Sequence, residues 1–235
     1  MKWKVLWEVP WNSIRSAKYR AYYRWLIPVK VKRAFNLVSK DLHIITPSHS
    51  YESRSQLLHR AIDSILAQTP HGLKVHHHIV FDGDAPNKIL FTDLPAWYSY
   101  EIISTPRTAM YGAHQRNVGL EKVKTGWILF FDDDNVIDPN CCKIIEQYIH
   151  AGIGVLVFRV WHEELKKYVP EDLTAVPKFV DIDSLSFVVN ADIAHYAEWQ
   201  HKYHHDYLYI QNIIGIGEYF GFRTVVNDDI IGIHY

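Results

Sequence analysis

The 235-residue sequence contains only two cysteines, Cys141 and Cys142, and they are adjacent in the chain. Two adjacent cysteines cannot build a disulfide framework or supply the four ligands of a structural zinc site. No apolar run approaches the ~18–20 residues of a membrane-spanning helix, and we expect no signal peptide because the sequence does not open on a basic-then-apolar pattern. We therefore expect a cytoplasmic protein in a reducing compartment.

Hydrophobic residues make up 48% of the sequence, which excludes a disordered chain and supplies enough apolar side chains for a core. The formal net charge of −1 hides an uneven distribution. Residues 1–40 carry a net charge of +9, and the rest of the chain therefore carries −10. We divide the chain into a basic, aromatic-rich segment at 1–40 and one domain at 41–235.

The segment at 1–40 also holds four of the eight tryptophans, interleaved with tyrosine and arginine. We favour packing of this segment against the acidic remainder of the chain or against a second subunit. Peripheral contact with an anionic membrane surface is the second interpretation, because basic and aromatic side chains suit that interface. Binding of single-stranded nucleic acid ranks last, and we expect no nucleic-acid partner.

From residue 41 onward, strand-like apolar runs alternate with helical periodicity. The predicted strands lie at 42–46, 75–81, 101–104, 127–131 and 154–161, and the predicted helices at 57–66, at 113–124 and from Pro139. Weaker patterns predict a strand near 179–189, helices near 191–202 and 206–214, and a strand near 223–227. This alternation predicts an α/β fold with a mostly parallel central sheet flanked by helices.

Three consecutive carboxylates, Asp132, Asp133 and Asp134, directly follow the predicted strand at 127–131. Open α/β sheets bind their ligands at the carboxyl ends of the strands. Crowded carboxylates repel one another, and a divalent cation that bridges to phosphate oxygens would keep them ionised. A solvated acidic turn has the same composition, but the position after a buried strand favours a metal and phosphate site.

Four segments, taken in order, resemble family-2 glycosyltransferases, which have the Rossmann-like GT-A fold. They are the strand and helix at 44–69, the Asp-Gly turn at 79–84, the Gly…Arg-Asn-x-Gly helix at 112–119 and the Asp-x-Asp-like segment at 131–135. The resemblance implies that 41–235 is a GT-A domain. It further implies a metal-dependent glycosyltransferase that moves a sugar from a nucleotide-sugar donor to a hydroxyl acceptor with inversion. A UDP-sugar is our preferred donor.

The same resemblance implies which residues hold the donor. Thr46 and Pro47 would lie along the base and ribose, and Asp82 would accept a hydrogen bond from the base. Asp132 or Asp133 would reach the ribose.

The metal and the leaving group are also assigned through the resemblance. Asp134 would hold Mn²⁺ or Mg²⁺ against the diphosphate, and His234 resembles the histidine that completes the metal shell in many relatives. Arg116 or Arg107 would share the stabilisation of the departing nucleoside diphosphate. The acceptor, whether carbohydrate, lipid-linked or protein, is not identified.

An inverting transferase needs a general base that takes the proton from the acceptor hydroxyl. The family places an acid near the start of a late helix, and Asp206 is the best match. Glu198, Asp192 and Glu218 are rivals, and Asp206 could instead cap its helix.

The sequence departs from the family pattern at His49-Ser50, at Phe81 before Asp82, and at Gln115, where the family normally has alanine. These departures keep alternatives open. The chain could be a catalytically silent nucleotide- or sugar-binding module, or a surface-binding scaffold that acts through 1–40. Another phosphate enzyme, such as a nucleotidyltransferase, is a weaker alternative.

The run His76-His77-His78 suggests a metal site, but successive side chains of a strand point to opposite faces. Three consecutive histidines on a strand therefore cannot converge on one ion, and we interpret them as strand residues.

Overall fold

The computed structural model describes residues 39–49, 52–86, 91, 93–108, 112–173, 177–178, 181–202 and 204–235. The predicted segment at 1–40 lies outside these residues except for its last two positions. The strands are β1 Asp41–His49, β2 Lys74–Asp82, β3 Tyr98–Thr105, β4 Trp127–Phe130, β5 Val136–Ile137, β6 Ile153–His162, β7 Lys167–Val169, β8 Phe187–Asn190 and β9 Arg223–His234. The helices are α1 Glu52–Leu66, α2 Ala113–Lys122, α3 Cys141–Tyr148, α4 Ala191–Ala194 and α5 His205–Phe220.

These strands form one sheet in the order β3-β2-β1-β4-β8-β6-β9-β5, with β7 paired to β6. The strands β3, β2, β1 and β4 are parallel, as the alternation of strands and helices predicts. The strand β8 is antiparallel to both β4 and β6, while β9 is parallel to β6. The parallel part therefore ends at β4, and the three aspartates follow that strand.

Helices cover the sheet through apolar faces at helical spacing. In α1, the buried positions Leu58, Ala61, Ile62 and Ile65 pack against strand residues. Helix α3 adds Ile145 to the same core. None of the described helices combines the length and hydropathy that a membrane-spanning segment needs.

Helix α2 lies unusually close to β1 because residue 119 is a glycine. A Cβ atom at Gly119 would lie only 2.5 Å from Ile45 Cγ2. The close approach brings the first turns of α2 to the carboxyl ends of β1 and β2, where the predicted donor site lies.

Several predicted boundaries were wrong because pairing with a distant strand outweighs local sequence. We expected β1 to end before Pro47, but it pairs with β2 as far as His49. Proline removes only its own N–H from the ladder, so neighbouring pairs can still form. The helix expected near 191–202 is the short α4, and β9 continues to His234 because β6 pairs with it.

Candidate active site

The three aspartates lie in a tight turn at the carboxyl end of β4. The amide of Phe131 donates to the carbonyl of Ile45 at 3.0 Å, which continues the pairing of β4 with β1. The amide of Asn135 then donates to the carbonyl of Asp132 at 3.1 Å and closes the turn. The side chains of the triplet consequently have different partners.

Asp133 is turned into the protein. Its two oxygens accept hydrogen bonds from Ser48 Oγ at 2.6 Å and from Arg54 Nη1 at 2.9 Å. Burial raises the pKa of Asp133 to about 6, although Ser48 and Arg54 oppose the shift. Both oxygens are thus engaged internally, so the predicted contact of Asp133 with a ribose would require it to exchange partners.

Asp134 shares Arg54 with Asp133. The Nη1 atom of Arg54 lies 2.6 Å from Asp134 Oδ2, and Arg60 donates to the Asp134 carbonyl at 2.5 Å. Helix α1 therefore supplies two cations to the turn, and Arg54 pairs with the carboxylate that we predict to be a metal ligand.

Asp132 is held from the other side by α2. Arg116 is almost fully buried and forms an ion pair with Asp132, while its guanidinium lies 4.7 Å from the ring centre of Trp199. Ser184 Oγ donates to the other Asp132 oxygen at 3.4 Å. Burial raises the pKa of Asp132, Arg116 opposes this, and the charges of Asp183 and Asp134 add to it. Asp132, Asp183 and Asp206 affect one another's charge, and we call these three residues the acidic cluster.

Asp183 and His234 form an ion pair in that cluster, with 2.9 Å between Asp183 Oδ2 and His234 Nδ1. Burial disfavours protonation of His234, but Asp183 outweighs this effect and raises the pKa of His234 to about 9. His234 is thus an imidazolium at neutral pH. Because a histidine ligand must be neutral, His234 would have to lose this proton before it could bind a metal ion.

Asp206 lies in the first turn of α5, whose N-cap is His204, so Asp206 is not the helix cap. Its Oδ1 atom is buried and accepts no hydrogen bond from any described residue, and His205 Nε2 lies 3.5 Å away. Burial raises the pKa of Asp206 to about 8, with opposition from Arg116 and a further increase from Asp183. Asp206 is therefore an incompletely satisfied carboxyl group within the acidic cluster.

The three rivals for the role of base are less well placed. Asp192 lies two residues after Asn190, which pairs with the first residue of β4. Asp192 is therefore near the amino end of β4, whereas the triplet follows the carboxyl end of that strand. Glu198 is exposed. Glu218 lies 12 residues after Asp206 on α5, which corresponds to about 18 Å along a helix.

Asp82 lies at the end of β2 and accepts hydrogen bonds from a loop and from α2. Its Oδ1 atom accepts hydrogen bonds from the Thr108 amide at 2.7 Å and from Gln115 Nε2 at 3.0 Å. The Thr108 hydroxyl adds a longer contact at 3.3 Å. The Oδ2 atom lies 3.7 Å from His49 Nδ1. These contacts come from three parts of the chain: the loop after β3, helix α2 and the end of β1.

The other predicted donor-binding residues surround Asp82. Thr46 is fully buried, with its hydroxyl 2.8 Å from His77 Nε2, so it offers no exposed atom to a ligand in this structure. Pro47 packs under Gly112, where a Cβ atom would lie 3.0 Å from it.

The two predicted arginines lie on different sides of the site. Arg107 is exposed beside Gly83, where a Cβ atom would lie 2.9 Å from the Nε atom of Arg107. Arg107 therefore belongs to the Asp82 side of the site, and Arg116 belongs to the acidic cluster.

Within the described part of the chain, no three His, Cys, Asp or Glu side chains are arranged as a ready-made metal site. The chemistry of the donor set nevertheless fits Mn²⁺ or Mg²⁺, because carboxylate oxygens and an imidazole are available. The mutual charge effects among Asp132, Asp183 and Asp206 indicate a local excess of negative charge. Asp134 and His234 are now paired with Arg54 and Asp183, so metal binding would require both pairs to open.

The histidines of β2 alternate between faces, as predicted. His77 points inward and contacts Thr46 and Tyr98. His78 points to the other face and approaches His43 of β1, with 2.9 Å between their ring nitrogens.

Sequence reasoning missed Asp183 and Arg54. Asp183 has no local signal, because it reaches the cluster only through the antiparallel strand β8 that follows it. Arg54 could have been found, since a cation in the first turns of a helix after β1 lies near the carboxyl ends of the strands.

A sequence profile described as glycosyl transferase family 2 matches residues 43–231. The match covers most of the chain, and the chain therefore belongs to glycosyltransferase family 2.

The individual proteins to which the chain is similar have low sequence identity to it. An uncharacterized glycosyltransferase of Haemophilus influenzae is 25% identical over 146 residues, which span 62% of this chain and 46% of that protein. The crystal structure of S. aureus TarS 1–349 in complex with UDP superposes with a TM-score of 0.65 at 14% identity, over 82% of this chain and 60% of that one. The mannosyltransferase PcManGT from Pyrobaculum calidifontis, in complex with GDP-Man and Mn²⁺, gives a TM-score of 0.55 at 12% identity, over 92% and 64% of the two chains. These similarities confirm the predicted GT-A fold, although this chain spans only about half to two thirds of each relative's length.

Proposed function

We propose that the chain transfers a sugar from a nucleotide-sugar donor to a hydroxyl acceptor, with a UDP-sugar as the favoured donor and with inversion. The observation that carries the proposal is the buried carboxyl group of Asp206, whose Oδ1 atom accepts no hydrogen bond from a described residue and whose pKa the charge of Asp132 helps to raise. One carboxylate would face the donor and the other the acceptor. The UDP complex of TarS supports a nucleotide-sugar donor, and the GDP-Man complex of PcManGT shows that a related fold accepts a second base.

In this proposal Asp206 is the general base. It would accept the proton of the acceptor hydroxyl on its Oδ1 atom, which has no described hydrogen-bond donor. A carboxyl group with a pKa near the working pH is effective in proton transfer, and the protein raises the pKa of Asp206 to about 8. Arg116 would hold Asp132 in position and supply positive charge close to the leaving diphosphate.

Asp134 and His234 are the residues that would hold Mn²⁺ or Mg²⁺. When bound, the ion would act as a Lewis acid that stabilises charge on the nucleoside diphosphate. For this, Asp134 would have to separate from Arg54. The guanidinium of Arg54 would then be available to bind a phosphate oxygen.

Calorimetry tests this proposal before the acceptor is known. UDP, GDP, dTDP and CMP are titrated with and without Mn²⁺ into the wild-type chain, into Asp134→Ala and into the control Asp63→Asn, which changes an exposed acid of α1. We expect Mn²⁺-dependent binding of one nucleotide, lost in Asp134→Ala and kept in the control. Failure of the folded wild-type chain to bind every nucleotide would contradict the proposed function.

A second candidate function is a nucleotide-binding module without transfer. The ion pairs of Arg54 with Asp133 and Asp134 favour it, because an arginine already neutralises the carboxylates that a metal would use. Nucleotide binding without Mn²⁺ dependence, together with no turnover on a panel of acceptors, would support this alternative.

The predicted partners and location remain proposals. We propose that the protein is cytoplasmic. If its segment at 1–40 does not pack on the domain, we propose that this segment contacts a membrane surface peripherally.

A further inference from the structure

Three consecutive residues at the start of α2 reach three different parts of the site. Gln115 donates to Asp82, and Arg116 pairs with Asp132. Asn117 exchanges two hydrogen bonds of 2.9 Å with the backbone of Trp199. Successive residues of a helix are rotated by about 100°, so one turn can fix several groups around its end.

Gln115 lies in the first turn of α2. Its side chain is almost fully buried, with 1% exposure. The Nε2 atom donates to Asp82 Oδ1 at 3.0 Å and to Thr105 Oγ1 at 3.1 Å. Thr105 in turn donates to the carbonyl of Phe81 at 2.8 Å, which ties the network to β2. A buried amide with these partners acts on the carboxylate of Asp82 and not on bulk solvent.

The network restricts rotation of the Asp82 carboxylate. The Thr108 amide and Gln115 Nε2 approach the same oxygen from a loop and from a helix. Two donors from separate elements define the direction of that oxygen, and hence the plane of the carboxylate, more tightly than one donor could. Alanine at position 115 would remove the donor that α2 supplies to Asp82, while the donors of Thr108 and the contact with His49 would stay.

We propose that Gln115 is a positioning residue that sets the base selectivity of the donor site by fixing the Asp82 carboxylate. The inference rests on the proposed function, because it requires a nucleotide beside Asp82. An ionised carboxylate can only accept hydrogen bonds. Held in one orientation, it favours a base with a ring N–H, which uracil and guanine possess at their pairing edge.

Cytosine and adenine carry an unprotonated ring nitrogen at the corresponding position. Its lone pair would face the carboxylate, and a carboxylate that cannot rotate cannot turn toward the exocyclic amine instead. A site built around a fixed hydrogen-bonding group rejects analogues that lack the matching partner. Gln115 would therefore increase discrimination among bases, with little effect on the ribose and diphosphate contacts.

The test measures selectivity in the full-length chain. UDP, GDP, CDP and ADP are titrated calorimetrically, with Mn²⁺ present, into wild type, Gln115→Met and Gln115→Ala. Methionine keeps the length of the side chain but removes its donor, which avoids a large cavity. The matched control is Gln68→Met, since Gln68 is also a buried glutamine but bonds the backbone around α3.

We expect the wild type to prefer UDP or GDP over CDP and ADP. In Gln115→Met and Gln115→Ala, the affinity for the preferred nucleotide should fall about tenfold, while binding of the others changes less than about twofold. The control should keep the wild-type selectivity.

Two results would overturn the assignment of Gln115 alone: unchanged selectivity in both Gln115 variants, or an equal loss of affinity for all four nucleotides. A wild type that prefers CDP or ADP would also overturn it. Absence of nucleotide binding by the wild type would instead overturn the proposed function, and this inference with it.

Discussion

The carboxylates on the two sides of α2 are stabilised in different ways. On one side, neutral donors from Thr108 and Gln115 hold Asp82. On the other side, Asp132 lies in the acidic cluster with Asp183 and Asp206, where Arg116 and His234 are the compensating cations that act on it.

This difference corresponds to two kinds of ligand. Donors from a loop and from a helix fix the direction of the Asp82 carboxylate, which suits recognition of an N–H group. In the acidic cluster, burial raises the pKa values of Asp132 and Asp206, which suits the exchange of a proton or the entry of a cation. The side of Asp82 is therefore suited to selectivity, and the acidic cluster is suited to chemistry.

The largest predicted effect tests the chemical role of the acidic cluster. Asp206→Asn should lower sugar transfer, or hydrolysis of the donor by water, about 10²–10⁴-fold, because asparagine cannot accept the proton. Nucleotide affinity should stay within about twofold of wild type. Release of nucleoside diphosphate measures turnover, and calorimetry measures binding.

Asp63→Asn is the control for this substitution and should keep full turnover. Normal turnover in Asp206→Asn would place the base elsewhere and would remove the proposed contrast between the two sides of α2.

A smaller effect is expected when a cation is removed from the acidic cluster. Arg116→Met should lower the free energy of unfolding by about 3 kcal/mol, because Asp132 loses its ion-pair partner among other acids. Urea denaturation measures the change, and Arg223→Met, an exposed substitution, should have little effect.

The double variant Arg116→Met/Asp132→Asn should recover part of the lost stability, because the unpaired charge is then removed. If the double variant is no more stable than Arg116→Met, repulsion from Asp132 is not the cause.

The smallest effect concerns His77, a buried histidine of β2. Burial lowers the pKa of His77 from 6.5 to about 3. The unfolded chain therefore binds a proton at His77 between these pH values and the folded chain does not, so stability falls as the pH decreases through this window. We expect a loss of about 1 kcal/mol between pH 6.5 and 5.5 from this group.

The measurement is urea denaturation of wild type and His77→Gln at several pH values from 6.5 to 5.5. The variant should depend less steeply on pH, whereas His71→Gln, which changes an exposed histidine, should follow the wild type. Equal slopes for wild type and His77→Gln would show that His77 is not kept neutral by the fold.

Much of the parallel part of the sheet could be predicted from the sequence. Apolar periodicity located β1, β2, β4 and α1 to within a few residues, because each buries a face whose spacing is visible locally. The position of Asp132 at the end of a buried strand followed from the same pattern. The boundaries after residue 178 were less accurate, since β8 and β9 depend on pairing with β4 and β6.

The sequence by itself determined the fold class, the family, and the placement of Asp82 and the aspartate triplet at the carboxyl edge of the sheet. These features are local, because they follow from strand ends and motif order. Only the tertiary structure decided that Asp183 joins the acidic cluster, that Arg54 pairs with Asp134 and that Gln115 donates to Asp82. Such contacts join residues that are distant in the chain, and their geometry depends on how closely helices and strands pack.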